Sequence, residues 1–487
     1  MVEVPPIPDL ELALRVVDSV QDHPQRARDE AGLLVARTDI DRETLAVAWW
    51  GLGLAARQLN DLEEADSALR TALGIAMEGG LTRRVGQIRS SLALVLLYGG
   101  DTQAALDETK LATVNLSGPD LARNEMQIGL ILQRLGHLDE ALVHYRTALT
   151  GLRRSGDRLA EARLLSNRGV LHGYRGELDL GVSDLEAARI IAEDLGQKLI
   201  VAASAHNLGF LEGRRGDVPA ALAWFDRAEA AYEALGRPPG MTEVLWANRG
   251  ELLLTVGLYS EAEQAVRAAI AGLERIDNKT DLSETRLLAA EVALANRRPN
   301  EALEAASVAA SEFTDQDRLA WRLLADYAAL RARFEAHISD GATASDAARL
   351  AGGLAAIGLS SESQHCHLLA GRIAMRDGSL ENARRELAAA SGARRRGTSL
   401  DRAKAWYAEA LLRQAEGNVA GSSRAIEAGF RAIQDYRLTL GAADLRSYAA
   451  SHGLDLAVLA IEQGVASGSP WRVLRAVESW RAESSQV

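Results

Sequence analysis

The sequence predicts an all-α fold in which helical hairpins stack into a superhelical solenoid. The chain has 487 residues, more than a single compact core usually organises, so several domains or one extended array are needed. Alanine and leucine dominate, aromatic residues make up 5% and there are 10 prolines, a composition that suits helix packing and suits strands poorly. A sequence motif also recurs about every 40 residues, and a fixed period of this size is the signature of a repeat architecture.

The recurring motif combines a small residue, a turn and a second small residue. In its third copy these are Gly129 inside a predicted first helix, Gly136 at the turn and Ala141 five residues later. The last member recurs as Ala65, Ala105, Ala141, Gly181, Ala221, Ala262, Ala302, Ala383 and Ser422. Successive steps are 40, 36, 40, 40, 41, 40, 81 and 39 residues, and the step of 81 spans two periods with one degenerate repeat between them.

Each position of the motif has a physical role in a helical hairpin. The glycine inside the first helix lets the second helix cross closely, and the turn glycine supplies the left-handed backbone conformation that ends a helix. The following alanine is expected to pack against the small residue of the first helix. Because no hairpin buries its apolar faces alone, stability must come from stacking. Large residues four positions after the alanine are expected to fill the space between neighbouring hairpins: Leu69, Tyr145, Leu185, Phe225, Val266 and Leu387.

The motif resembles the tetratricopeptide repeat (TPR), in a variant of about 40 rather than 34 residues. The resemblance implies a right-handed superhelical solenoid of TPR-like hairpins with a concave inner face. We expect N-terminal capping helices in residues 1–44, about ten repeats in residues 45–435 and a helical joint in residues 436–487. The eighth repeat is irregular near residues 320–360, with one long helix expected from Trp321 to His337. It is either a drifted repeat or a break between two sub-arrays.

The C-terminal segment resembles the joint that, in actinobacterial CHAT-domain proteins, follows a TPR array and precedes a caspase-like peptidase domain. The likeness lies in the run from Tyr436 to Gly453, with its Leu-Gly-Ala, Leu-Arg and Ala-Ala-Ser-His-Gly elements, and in Trp480-Arg-Ala. The peptidase itself is absent, since the chain stops five residues after Ala482. The resemblance implies either an N-terminal fragment of a longer protein or a stand-alone relative whose enzyme is supplied in trans.

Charge and targeting signals narrow the class of protein. The net charge of −12 and the pI near 5.4 argue against nucleic acid and anionic membranes as partners, because those polyanions would be repelled. The start of the chain has neither the basic nor the apolar region of a signal peptide, and no apolar run approaches the ~18 residues of a membrane span. With a single cysteine, Cys366, no internal disulfide forms. These features predict a soluble cytoplasmic protein.

Motifs for catalysis and for metal or cofactor binding are missing from the sequence. None of the four lysines lies in a phosphate-binding loop, and neither a Gly-x-Ser-x-Gly nor a His-Glu-x-x-His motif occurs. His452-Gly453 resembles half of a caspase-like site, but no cysteine follows it. His365, Cys366 and His367 are consecutive, so on a helix they point about 100° apart and do not converge on one ion. The sequence predicts a protein that is not an enzyme and has no cofactor.

Three asparagines predict a binding surface on the concave face. Asn167, Asn207 and Asn248 each precede a first-helix glycine by two residues, so stacking should align them. In peptide-binding TPR domains the matching asparagine contacts the peptide backbone, a task that suits a carboxamide because it donates and accepts. The alternative is that each asparagine caps or bonds a neighbouring helix. Other first-helix residues expected to face inward are Arg123, Arg134, Arg163, Tyr174, His206, Phe210 and Arg214.

Arginine mixed with aromatic side chains is typical of a peptide groove that prefers acidic or C-terminal carboxylate groups. The rival interpretation is a solvated basic face. Farther along, Glu251, Glu284 and Glu291 reverse the sign of the charge. We therefore expect a scaffold or sensor that binds protein or peptide and, by the resemblance, regulates a caspase-like peptidase. The alternatives are a constitutive assembly scaffold and a fragment of a CHAT-type peptidase that lacks its catalytic domain.

Overall fold

The computed structural model describes residues 8–20, 23–337, 343–440 and 450–485 of the chain. Paired α-helices form the framework of this part. Within these residues there are 24 α-helices, one short 3-10 helix and no strand. The sequence-based prediction of an all-α solenoid of TPR-like hairpins is confirmed. The N-terminal pair, α1 (Asp9–Ser19) and α2 (Pro24–Val35), packs against the next helix, α3 (Arg42–Gln58), through an alanine- and valine-rich core.

Ten hairpins follow, each made of a first and a second helix. Hairpins one to five are α3 (Arg42–Gln58) with α4 (Leu62–Glu78), α5 (Thr82–Tyr98) with α6 (Thr102–Thr113), α7 (Gly118–Leu135) with α8 (Leu138–Ser155), α9 (Arg158–Tyr174) with α10 (Leu178–Asp194), and α11 (Lys198–Arg215) with α12 (Val218–Ala234). Hairpins six to ten are α13 (Met241–Thr255) with α14 (Tyr259–Arg275), α15 (Lys279–Ala295) with α16 (Pro299–Asp315), α17 (Leu319–Glu335) with α18 (Ala344–Ala356), α19 (Ser360–Arg376) with α20 (Leu380–Ser391), and α21 (Ser399–Ala415) with α22 (Val419–Thr439). The 3-10 helix Ala450–Gly453 then leads into α23 (Leu454–Ala466) and α24 (Pro470–Ser485).

The connection within hairpin eight is longer than the connections within the other hairpins. It joins α17 to α18, and residues 338–342 within it lie outside the described residues. The loop expected from Ser339 to Ser345 therefore falls mostly outside them. On the far side of this connection, α18 packs mainly against α19, so helix stacking resumes there.

The turn glycines end the first helices as the sequence predicts. Gly136 has a φ of 89°, and its amide and that of His137 donate to the carbonyls of Gln133 and Leu132 at 3.0 and 2.8 Å. These bonds satisfy carbonyl groups that the end of α7 would otherwise leave without partners. The second helix then begins at Leu138, so two residues reverse the chain.

The glycines inside the first helices make room for one large side chain each. A Cβ placed on Gly209 would lie 2.7 Å from Cδ1 of Phe225, which belongs to the second helix of the same hairpin. These large residues were expected to fill the space between neighbouring hairpins, and Phe225 does share a buried cluster with Leu245 and Leu252 of the next hairpin. Each of them also lies over the glycine of its own hairpin, where the missing Cβ leaves space. The pairs are Gly53–Leu69, Gly129–Tyr145, Gly169–Leu185, Gly209–Phe225, Gly250–Val266 and Gly371–Leu387.

The buried cores of adjacent hairpins are continuous, so these hairpins do not form separate domains. One cluster of buried side chains runs from Ala93 on α5 through Ile131 on α7 and Leu164 on α9 to Ala188 on α10. Removing this apolar surface from water is the main stabilising term.

Successive turns of the superhelix touch one another. Thr280 of hairpin seven donates its hydroxyl to the carbonyl of Leu97 in hairpin two at 2.5 Å. A second contact joins the C-terminal end to hairpin six, where Tyr436 and His452 both donate to the carbonyl of Thr255 at 3.1 and 2.7 Å. About five hairpins therefore complete one superhelical turn, and the first helices line its inside.

Candidate functional site

The predicted asparagines lie half-buried on three consecutive first helices, α9, α11 and α13. Nδ2 of Asn207 donates to Oγ of Ser166 at 3.1 Å, and Nδ2 of Asn248 donates to Nε2 of His206 at 2.9 Å. Each of these two carboxamides thus reaches back to the preceding hairpin, as the helix-bonding alternative expects. Among the described residues, no hydrogen bond to Oδ1 of Asn207 or of Asn248 occurs.

His206 lies in the core of hairpin five and not on the open inner wall. Only 5% of it is exposed, and its ring packs edge-on against Phe225 and Tyr232 at centroid distances of 6.0 and 6.2 Å. Burial lowers the pKa of His206 to about 4, although Asp281 partly offsets this effect. The neutral ring accepts from Asn248 at Nε2, which leaves Nδ1 to donate to the hydroxyl of Tyr232 at 3.4 Å.

Three of the predicted residues form a cluster on the inner wall, which we call the aromatic–arginine cluster. The rings of Tyr174 and Phe210 lie 5.5 Å apart, and the guanidinium of Arg214 lies 5.8 Å from the first ring and 5.5 Å from the second. Tyr174 is 37% exposed although it lies inside the coil, and partial burial raises the pKa of its hydroxyl, which therefore keeps its proton. The nearest carboxylate to Arg214 is that of Glu251, at 4.0 Å. The cluster therefore offers accessible aromatic surface and a weakly paired cation.

The other predicted arginines differ in their partners and in their burial. Nε of Arg123 donates to Asp157 at 2.7 Å and more than half of its side chain is exposed. Nη1 of Arg134 lies 2.9 Å from carboxylate oxygens of both Asp281 and Glu284. Arg163 is half-buried on α9, and burial lowers its pKa. Neither Arg123 nor Arg134 belongs to the aromatic–arginine cluster, and the peptide-binding role of all the predicted residues stays a prediction.

Two arginines on the inner side, Arg57 and Arg318, were not predicted from the sequence. Arg57, near Tyr98, has its pKa lowered by burial; like Arg134 on α7 it lies on the last turn of a first helix, but not at the same position relative to the turn. Arg318 is fully buried between α16 and α17. No sequence signal pointed to it, because its Nε donates to the carbonyl of Arg134, which belongs to another superhelical turn.

No group of three or more His, Cys, Asp or Glu side chains able to hold a metal is present in the described part of the chain. His365 contacts Asp401 of α21 at 3.3 Å, whereas His367 contacts Glu386 of α20 at 2.8 Å, so the two rings diverge as expected. Cys366 between them is buried. A helix long and apolar enough to cross a bilayer is likewise not found among those residues.

Comparison with protein families gives matches to models described as tetratricopeptide repeat, over residues 161–234 and 46–76. The chain contains tetratricopeptide repeats. A search of curated proteins found no match.

Among solved structures, the chain is similar to a Rap protein complexed with competence and sporulation factor, at 14% identity and a TM-score of 0.55, over 72% of this chain and 98% of that one. It is also similar to the Rap conjugation gene regulator of plasmid pLS20 in complex with the Phr* peptide, at 13% identity and a TM-score of 0.45, over 63% and 97% of the two chains. Yeast Tom70 matches at 11% identity and a TM-score of 0.35, over 97% and 96%. The first of these supports the fold, and the other two carry no argument.

Proposed function

We propose that this chain is a scaffold or sensor that binds an extended polypeptide on the inner wall of its superhelix. The aromatic–arginine cluster of Tyr174, Phe210 and Arg214 is the observation that carries the proposal. Aromatic rings and arginine are the side chains that most often dominate polypeptide recognition, because they combine large contact area with directed polar groups. The Rap protein of similar fold was crystallised in complex with competence and sporulation factor, so a solenoid of this architecture accommodates a ligand.

In this proposal the ligand is held by three kinds of contact. An apolar ligand side chain packs on the accessible ring of Tyr174, while Arg214 pairs with a carboxylate of the ligand more closely than with Glu251 at 4.0 Å. Oδ1 of Asn207 and of Asn248 accepts from backbone amides of the ligand. The ligand class is therefore a peptide segment with an apolar and an acidic side chain close together.

Regulation of a caspase-like peptidase, attached or supplied in trans, is the finer form of the proposal. It rests on the sequence resemblance of the C-terminal segment alone, and residues 441–449 of that segment lie outside the described residues. His452, which resembles half of a peptidase site, donates to the carbonyl of Thr255, so it serves here to attach the C-terminal end to hairpin six.

A constitutive assembly scaffold is the second candidate, and the contacts between superhelical turns favour it because they stiffen the array. The two candidates differ in what a ligand does to the shape of the coil. A sensor changes the distance between hairpins one and seven when the ligand binds, and a constitutive scaffold leaves that distance unchanged.

The test starts with peptides selected from a displayed random library against the whole chain and measured by calorimetry. Tyr174→Ala and Arg214→Ala are each expected to weaken binding of the selected peptide at least tenfold, about 1.4 kcal/mol. The matched control is Arg154→Ala, which removes an exposed arginine from a second helix, α8. Affinities that fall equally in all three variants, or in none, would contradict a binding site on the inner wall.

A further inference from the structure

The contact between hairpins two to three and hairpins seven to eight, which we call the inter-turn joint, is built from polar and charged groups. Glu284 accepts hydrogen bonds from both Arg134 and Arg318, and Arg134 also pairs with Asp281 at 2.9 Å. The hydroxyl of Thr280 donates to the carbonyl of Leu97. Arg134 and Glu284 are separated by 150 positions in the sequence, and Leu97 and Thr280 by 183. The contacts across the joint therefore depend on the pitch of the superhelix.

Arg318 is the centre of the joint. It is fully buried, and its Nε donates to the backbone carbonyl of Arg134 at 2.9 Å while its Nη1 donates to the carbonyl of Thr280 at 3.2 Å. The guanidinium lies 5.2 and 4.9 Å from the rings of Phe313 and Trp321. A buried guanidinium is stable only while its hydrogen bonds are satisfied. Separation of the turns removes the carbonyl of Arg134 from Nε of Arg318, whereas Thr280 and Glu284 of hairpin seven stay beside the guanidinium. Opening of the joint therefore leaves one donor of a buried cation without its acceptor.

The joint borders the candidate binding site. Arg134, Tyr174 and Arg214 occupy the same position in three successive repeats, each two residues before the turn glycine. The first of the three belongs to the joint and the other two to the aromatic–arginine cluster. Glu284 also lies close enough to Tyr174 to contribute to the raised pKa of its hydroxyl. Opening the joint therefore changes the surroundings of the cluster directly.

We propose that the inter-turn joint is a clasp that gates the inner wall. While Glu284 holds Arg134 and Arg318, the aromatic–arginine cluster is reached only through the open ends of the coil, and separation of the turns admits a polypeptide from the side. An acidic group of the ligand competes with Glu284 for Arg134, and in this way binding promotes opening. The gating role rests on the proposed function of the inner wall, whereas the clasp itself does not.

The first experiment needs no ligand. Tyr174→Cys places a thiol in the cluster, and the native Cys366 is buried. The rates of reaction with N-ethylmaleimide and with a 5-kDa polyethylene glycol maleimide are measured with and without Glu284→Gln. The control is Glu108→Gln, which removes a carboxylate of similar exposure that pairs with Arg89 inside hairpin two.

Glu284→Gln is expected to speed reaction with the large reagent at least tenfold and to change reaction with the small one less than twofold. Glu108→Gln is expected to change neither rate. Equal rates with the large reagent in all three chains overturn the clasp. Should circular dichroism show that Glu284→Gln has lost helix, Thr280→Val provides a milder opening that is expected to act in the same direction, and no effect there overturns the proposal as well.

The second experiment separates the clasp from the proposed function. A Cβ on Gly100 would lie 3.4 Å from Cβ of Lys279 across the joint, close to the 3.5–4.5 Å of a disulfide. Gly100→Cys with Lys279→Cys, oxidised with glutathione disulfide, is therefore expected to lock the joint, and the same chain after reduction is its control. Association of the selected peptide should be at least tenfold slower in the oxidised chain. Equal association rates overturn gating while leaving peptide binding intact, and a library that yields no peptide rejects the proposed function while the labelling result still decides the clasp.

Discussion

Gly209→Ala tests the packing rule on which every hairpin depends. Gly209 lies on α11, and an added Cβ would meet the ring of Phe225 at 2.7 and 2.8 Å and the backbone carbonyl of Ala221 at 3.2 Å. The ring is 1% exposed and the carbonyl belongs to a helix backbone, so neither moves away cheaply. The matched control is Gly74→Ala on α4, where the Cβ would have no neighbour within 4 Å.

The expected magnitudes follow from two opposing effects. Replacing glycine by alanine inside a helix contributes about 1 kcal/mol of stability in both variants. Overpacking costs about 1–3 kcal/mol, and the two obstructed contacts at Gly209 place the cost in the upper half of that range. Gly209→Ala should therefore lower the local free energy of unfolding by about 1–2 kcal/mol, whereas Gly74→Ala should raise it.

Hydrogen exchange by mass spectrometry measures this locally, which suits an array that does not unfold in a single step. Peptides covering α11 and α12 should exchange about 5- to 30-fold faster in Gly209→Ala, and peptides covering α4 should exchange more slowly in Gly74→Ala. Adding Phe225→Leu to Gly209→Ala should recover part of the loss, because the smaller side chain leaves room for the Cβ. Slower exchange of α11 in Gly209→Ala would refute the reasoning.

Three further predictions concern single side chains. His206 has a pKa of about 4 in the folded chain and about 6.5 in the unfolded chain, so the unfolded chain binds the proton first as the pH falls. The contribution of His206 to the free energy of unfolding is therefore fully present above pH 6.5 and declines by up to about 3 kcal/mol towards pH 4. Urea titrations across this range should show a shallower decline in His206→Gln, and an unchanged slope would contradict the assignment. Asn207→Ala should weaken the selected peptide in calorimetry while costing only about 0.5–1.5 kcal/mol of stability, the loss of its bond to Ser166; unchanged affinity would reject its role. Arg318→Met should remove the donor from the buried carbonyls of Arg134 and Thr280 and lower the urea midpoint, and an unchanged midpoint would show that Arg318 does not stabilise the array.

The fold class was predictable because the signals were local and repeated. The turn glycines adopt the left-handed conformation that their spacing predicts, as Gly136 and Gly216 show. The packing of the large residues was predicted only in part, since the sequence spacing places Phe225 between hairpins but does not show that it also packs on Gly209. The observed contact with Gly209 follows from the crossing of two helices within a hairpin, which only coordinates define.

The inner wall was predictable only in part. Tyr174, Phe210 and Arg214 lie together because adjacent hairpins stack with little offset; the sequence predicted that they face inward, but not that they form a cluster. The ion pairs of Arg134 with Asp281 and Glu284 were not predicted, because both carboxylates lie in hairpin seven, one superhelical turn away. The position of that turn is the sum of many small rotations between hairpins, and no single residue encodes it. The core position of His206 depends likewise on the angle at which α11 meets α12.

Cross-linking from the inner wall tests the central claim most directly. A photoreactive benzoylphenylalanine replaces either Val170, which lies one helical turn before Tyr174 on α9, or Ile190, which is 51% exposed on the second helix α10. Each chain is irradiated with the selected peptide, and the adducts are mapped by mass spectrometry. Adducts from position 170 and none from position 190 are the predicted result. Adducts from position 190, with position 170 silent, would show that the polypeptide binds the outer face and that the inner wall is not the site.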